Sequence, residues 1–222
     1  DARKSRGLGD VYKRQICAYA TQEGHKSTDL QAGYRQGAGV AIAALAAASE
    51  LETSGSYSSQ TYLDTAAKGY WHLKEHNLQY LNDGEENIID EYCALLAANE
   101  LYRVTQDQQY LTEARTWATR LISRQQSDNS FEHFWSANSD GSRPYFHAAE
   151  AGLPVIAICE YIDNETNAEL KEQARTAVEQ ACQFEINITD KVTNPFGYPR
   201  QYVKSVDGDK RDAFFVAQQN ET

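Results

Sequence analysis

Two kinds of helical segment alternate along the chain, and that alternation limits the folds open to it. Thr28–Leu51 contains VAIAALAAA, Asn87–Tyr102 contains IIDEYCALLAANELY, and Gly152–Tyr161 contains LPVIAICEY. All three are rich in small and aliphatic residues and apolar over most of their circumference, the pattern of a helix enclosed by protein. Each is followed by a segment with a single apolar stripe: Tyr62–Leu73, Tyr110–Ile122 and Leu170–Cys182. In the second of these Tyr110, Leu111, Ala114, Trp117, Ala118, Leu121 and Ile122 follow helical periodicity with little noise. Corresponding positions recur about every 48 to 60 residues, a weak repeat of helical hairpins. No period-2 strand pattern of any length stands out. Enclosed helices alternating with half-buried ones predict an all-α fold in two concentric layers. The expected form is an incomplete (α/α)6 barrel, a toroid of about three and a half hairpins. Ala213–Ala217 starts the last half. An open half-ring exposes a large apolar flank, so the chain is expected to be a piece of a longer one.

Residues 1–15 do not share this patterning. Ser5–Gln15 (SRGLGDVYKRQ) resembles the in-frame translation of a sequencing-library adapter, so 1–15 is expected to be a non-native, unpacked arm. Residues 16–222 are then expected to be the partial (α/α)6 domain, incomplete at both ends. The arm is basic, while the whole chain carries a formal charge of −11 at pH 7. That balance argues against nucleic acid and anionic membrane as partners, and no apolar run reaches the length of a membrane span. Cys17, Cys93, Cys159 and Cys182 form no paired motif for zinc or redox work. The last three fall in apolar helical stretches, where buried thiols are expected.

The loops carry the candidate chemistry. Turns from an enclosed helix to its half-buried partner are short, at Thr105–Asp107 and Asn164–Asn167. The returning loops are long: His76–Glu86, Gln126–Ala149 and Thr189–Lys210. In antiparallel hairpins all the long loops emerge at one end, where the enclosed helices have their N-termini, and long ordered loops usually serve function. They hold Phe131, His133, Phe134 and Trp135 in one, and Phe196, Tyr198 and Tyr202 in another. Aromatic faces beside Asn, Arg and Asp suit sugar rings, with their apolar C–H faces and hydroxyl edges; the same rings equally suit pinning loops to the helices. Arg143, Tyr145, His147 and Glu150 gather in the lead-in to the third enclosed helix, with Pro154 placed in that helix's first turn. Asp83 and Glu86 have capping-box spacing. One of Asp90 and Glu91 is expected to meet an arginine such as Arg35 or Arg143, as a structural ion pair in preference to a catalytic carboxylate. Gly33, Gly37 and Gly39 read as close helix contacts. No phosphate loop, metal-ligand cluster or Ser-His-Asp arrangement is present, so no cofactor or metal is expected.

Several stretches resemble one family. RPYFHAAEAGLPVIAICEY, STDLQAGYRQGAGVAIAALA, ENIIDEYCALLAANELYRVTQDQQYLTEA and NPFGYPRQYVK are similar to family-nine glycoside hydrolases. The nearest branch is the bacterial one called endoglucanase-related or exo-glucosaminidase. The resemblance runs from Ile16 to Thr222. It implies an (α/α)6 barrel, hydrolysis of β-1,4-linked glucose or glucosamine chains with inversion, and a periplasmic or extracellular location. The family's base lies in an aspartate-rich motif before the region corresponding to Ile16, and its acid lies beyond that corresponding to Thr222. The resemblance therefore assigns no catalytic residue here and implies that this chain alone is inactive. Substrate contacts are expected from Trp135, Arg143, Tyr145, His147, Arg200 and Tyr202, with an oligosaccharide or polysaccharide as the partner. Two alternatives share part of this pattern. An α/α-toroid of another sugar chemistry, an epimerase or a polysaccharide lyase, has the same helices and loop asymmetry. A non-catalytic helical scaffold has the hairpins but calls for short loops at both ends.

Overall fold

The computed structural model describes residues 31–51, 55–81, 83–147, 150–191, 193–205 and 208–214. The expectations for residues 1–15, Cys17 and the start of the first helical segment lie outside them. From Ala32 onward the chain belongs to one compact unit.

Six α-helices dominate it: α1 (Ala38–Ala48), α2 (Ser59–His76), α3 (Ile88–Thr105), α4 (Gln108–Ile122), α5 (Leu153–Asn164) and α6 (Ala168–Thr189). They form three successive hairpins, and the two short turns fall at the expected places. α3 packs against α1, α4 and α5, while α2 and α6 lie against α1 and α5 respectively. The described helices thus make two layers, α1-α3-α5 in one row and their partners outside it.

Local chemistry explains where the helices start. Ser58, Asn87, Asp107 and Asn167 cap α2, α3, α4 and α6 with side-chain oxygens that accept from backbone N–H groups of the first turn. The capping box of α3 is Asn87 with Asp90, four residues beyond the expected Asp83 and Glu86. Those two acids bind elsewhere: Asp83 pairs with Arg35, and Glu86 with Arg120 at 2.8 Å. α5 has no side-chain cap, and Pro154 occupies its first turn, where a missing N–H costs nothing.

Burial differs among the inner row. α3 is enclosed along nearly its whole length, including Tyr92, Leu95, Ala98 and Leu101. α1 and α5 are not. Val40 on α1 and Ile156 on α5 (50% exposed) face outward. The reason is position: α3 has a row neighbour on each side, whereas α1 and α5 end the row among the described residues. The same correction reaches the thiols, since Cys93 is buried but Cys159 and Cys182 are exposed.

Gly39 is the close contact expected of it. A Cβ there would stand 2.8 Å from the backbone oxygen of Cys93, so glycine lets α1 approach α3. Gly37 instead answers a conformational need, with φ +104° and open space around it. A Cβ on Gly33 would meet the Asn77 side chain at 2.7 Å, a contact with the loop after α2.

Between α2 and α4 lies an aromatic cluster. Trp117 Nε1 donates to the Tyr70 hydroxyl at 3.0 Å, and Trp71 Nε1 to that of Tyr110 at 3.2 Å. Tyr34 packs edge-on against Trp117. Each buried polar tip has a partner, as a dry core requires.

Asp90 and Glu91 hold structural pairs. The Arg35 guanidinium stands 3.6 Å from Asp90, and burial raises the Asp90 carboxyl above its ordinary range. Glu91 takes a two-pronged contact from Arg124, 2.8 Å at each oxygen, and a third bond from Arg120. Arg143 takes no part.

The long loops are not wholly irregular. β1 (Gln125–Gln126) pairs antiparallel with β2 (Phe134–Trp135), and β3 (Gln201–Lys204) with β4 (Arg211–Phe214). Ala213 and Phe214, expected to begin another helix, belong to β4. Strands of two and four residues are too short to leave an alternation visible in sequence.

Candidate carbohydrate-binding face

The two later loops are fastened over α6 by a small core of their own. Phe131, Phe134 and Tyr202 pack with Phe184 and Ile188 of α6. Asp128 is the polar staple above it, accepting from the Tyr202 hydroxyl at 2.8 Å and from Arg211 Nη1 at 3.1 Å. It also accepts from the backbone N–H groups of Ser130 and Phe131. Burial pushes the Asp128 carboxyl up, but these donors outweigh it and hold the group below its usual value. Arg211 reaches on to the Ser142 carbonyl at 2.9 Å. Sequence reasoning missed both residues. Asp128-Asn129-Ser130 carries a turn signal that marks the aspartate; Arg211 has no local signal, because its partners are about 70 to 80 positions away.

Between these loops and the N-terminus of α5 opens a cavity of about 310 Å³, mostly apolar. β2 contributes Phe134 and Trp135, the α5 lead-in Tyr145, α5 Gly152 and Val155, and the last loop Arg200 and Tyr202. The Tyr145 N–H donates to the Trp135 carbonyl at 2.7 Å, so the two residues sit on neighbouring segments, and both border the cavity. Four of the six expected contacts therefore border one cavity at the end of α5 where the long loops emerge. Trp135 and Tyr202 are nonetheless 7% and 3% exposed. They build its wall more than they offer a face.

His147 is half-buried beside it. Its carbonyl accepts from Gln201 Nε2 at 3.2 Å, and its ring lies nearly parallel to that of Tyr145. Nδ1 accepts from the Glu150 N–H at 3.0 Å, which places the proton of the neutral ring on Nε2. Arg143 is exposed and lies elsewhere, bordering a smaller recess of about 140 Å³ with Ile88, Ile89 and Phe146. Tyr145 borders both.

A polar chain joins α3 to this lead-in. The Tyr92 hydroxyl donates to Glu150 Oε2, and the Tyr145 hydroxyl lies 3.2 Å from that of Tyr92. Burial raises both phenols beyond any physiological titration, so they act as hydrogen-bonding groups and not as bases. Glu185 on α6, solvent-exposed as a residue, is the one carboxylate on the cavity wall. Such a wall offers apolar and aromatic surface, the Arg200 guanidinium, the Gln201 amide and one carboxylate to a neutral or cationic polyol. Among the described residues no group of three His, Cys, Asp or Glu is placed to hold a metal ion, and no helix is long and apolar enough to cross a membrane.

Compared with models of known protein families and with curated proteins, the chain has no match.

Proposed function

We propose that this chain carries part of a glycoside hydrolase of the family-nine type, acting on β-1,4-linked glucose or glucosamine chains with inversion of configuration. On this reading the three hairpins are an arc of an (α/α)6 toroid, and the long loops form one stretch of its sugar-binding cleft. The observation that carries it is the cavity where Trp135, Tyr145, Arg200 and Tyr202 meet at the N-terminus of α5. Two long loops from separate parts of the sequence supply these groups, and their aromatic and polar character matches the apolar face and hydroxyl edge of a pyranose. The resemblance noted in the sequence adds the reaction class.

Inversion needs one carboxylic acid to protonate the leaving oxygen and one carboxylate to activate water, roughly 6.5–9.5 Å apart. The proposal assigns neither to residues 16–222. Asp90 and Glu91 are committed to arginines, and Glu150 is held by Tyr92. The chain contributes binding and scaffold. The test is an assay of the 222-residue chain beside one extended at both ends, using chromogenic β-glucosides and β-glucosaminides. Turnover by the extended chain alone supports the proposal. Turnover by the present chain, abolished by Glu150→Gln or Glu185→Gln, overturns the assignment.

A further inference from the structure

The aromatic residues of the long loops, alike in sequence, fall into two sets in the structure. Phe131, Phe134, Trp135 and Tyr202 are buried and hold the loops down. Phe196 and Tyr198 are 80% and 52% exposed, with ring centroids 6.0 Å apart and a tilt of 44° between the rings. Large rings left in water need a reason when their backbone is held as firmly as this one. Asn194 clamps the turn from both ends of its amide: Nδ2 donates to the Tyr198 carbonyl at 2.7 Å, and Oδ1 accepts from the Tyr198 N–H at 3.2 Å. The Gly197 N–H closes the turn on the Asn194 carbonyl at 3.0 Å, and Gly197 takes φ +63°. Directly after this turn the chain becomes the cavity wall at Pro199, Arg200, Gln201 and Tyr202.

We infer that Phe196 and Tyr198 form a rigid stacking platform that holds a β-1,4-linked pyranose chain outside the cavity, as an outer subsite. This rests on the glycoside-binding reading above and deepens it. The cavity's volume sits at the small end of ligand pockets, so a chain of several sugars bound there must run on over the neighbouring surface. The platform is continuous with the wall in that loop. Its shape also selects the occupant. Two exposed rings at a polar turn offer flat faces to flat C–H surfaces, without the continuous apolar groove that a helix or an acyl chain needs. Fixing the turn beforehand lowers the ordering cost of binding, which gives Asn194 and Gly197 a positioning role.

The experiment measures binding of β-1,4-linked glucose and glucosamine oligomers, two to six units long, to the 222-residue chain by calorimetry. Phe196→Ala and Tyr198→Ala should each weaken hexamer binding about two- to tenfold and leave dimer binding unchanged. Tyr198→Phe should bind like the parent, and Asn194→Ala should weaken the hexamer with both rings still present. Because both rings are exposed, circular dichroism and melting temperature should not change, which separates lost contacts from lost fold. Hexamer binding that is untouched, or equal losses for dimer and hexamer, would overturn the outer subsite and leave the parent reading standing. Failure of the parent chain to bind either series would sink both.

Discussion

Glu160 and Glu165 lie five residues apart and respond to pH in opposite directions. Glu165 accepts from Arg115 at 2.7 and 2.8 Å, from the Tyr161 hydroxyl at 2.6 Å and from two backbone N–H groups, tying α4 to the α5–α6 turn. Chiefly through the Arg115 bonds, its carboxyl is lowered to about 2. A lowered carboxylate stabilises the fold above its unfolded value and loses that contribution as pH falls toward the folded one. Glu165→Gln should therefore cost on the order of 2–3 kcal/mol at neutral pH, with the difference from the parent shrinking between about pH 4.5 and pH 2. Acid denaturation of the two proteins checks it. Glu160 is the reverse case. Its Oε2 is buried without a hydrogen-bond partner, and burial, with Glu100 nearby, pushes it up to about 7. A raised carboxyl costs nothing below its unfolded value, and its burden builds as pH rises from about 4.5 to about 7 and stays in full above that. Glu160→Gln should raise the melting temperature at pH 8 and change it little at pH 4. The buried Glu91–Arg124 pair gives the largest single effect expected: Arg124→Met leaves the Glu91 carboxylate with the half-exposed Arg120 alone and should cost about 3 kcal/mol by urea unfolding. An arginine partner was expected for one of Asp90 and Glu91, because acids on an apolar helix demand one; the structure pairs both. Which arginines answered was not. Arg120 and Arg124 stand about 30 positions away and become neighbours only through the α3–α4 hairpin.

At the scale of elements, the helices were legible because their periodicity is local and repeated. Their caps were less so. Asp83 and Glu86 have the spacing of a capping box, yet so do Asn87 and Asp90, and the structure uses the second pair. Spacing alone does not choose between overlapping boxes. Asn87→Ala should remove about 1 kcal/mol of stability by losing the bond to the Ile89 N–H. Gly39→Ala should cost about 1–3 kcal/mol, since the added methyl meets the backbone of α3 and not a side chain that can move aside. Burial was half legible. Sequence shows how much of a helix's circumference is apolar, but not how many neighbours the helix has, so α1, α3 and α5 read alike while only α3 is enclosed. The same limit applies to the loops. Aromatic composition marked them, whereas the division between buried Trp135 and Tyr202 and exposed Phe196 and Tyr198 depends on β1–β2, β3–β4 and the Asp128 staple.

For the described unit as a whole, the central claim is that the α5 end of the array is a sugar-binding face. Its three tryptophans report on it separately. Trp71 and Trp117 lie in the aromatic cluster between α2 and α4, and Trp135 borders the cavity. The decisive measurement follows the three indole N–H signals by heteronuclear NMR while a β-1,4-linked glucose or glucosamine oligomer is added. The account expects the Trp135 signal to shift saturably and those of Trp71 and Trp117 to stay in place. No shift at millimolar oligomer, or shifts confined to Trp71 and Trp117, would contradict it.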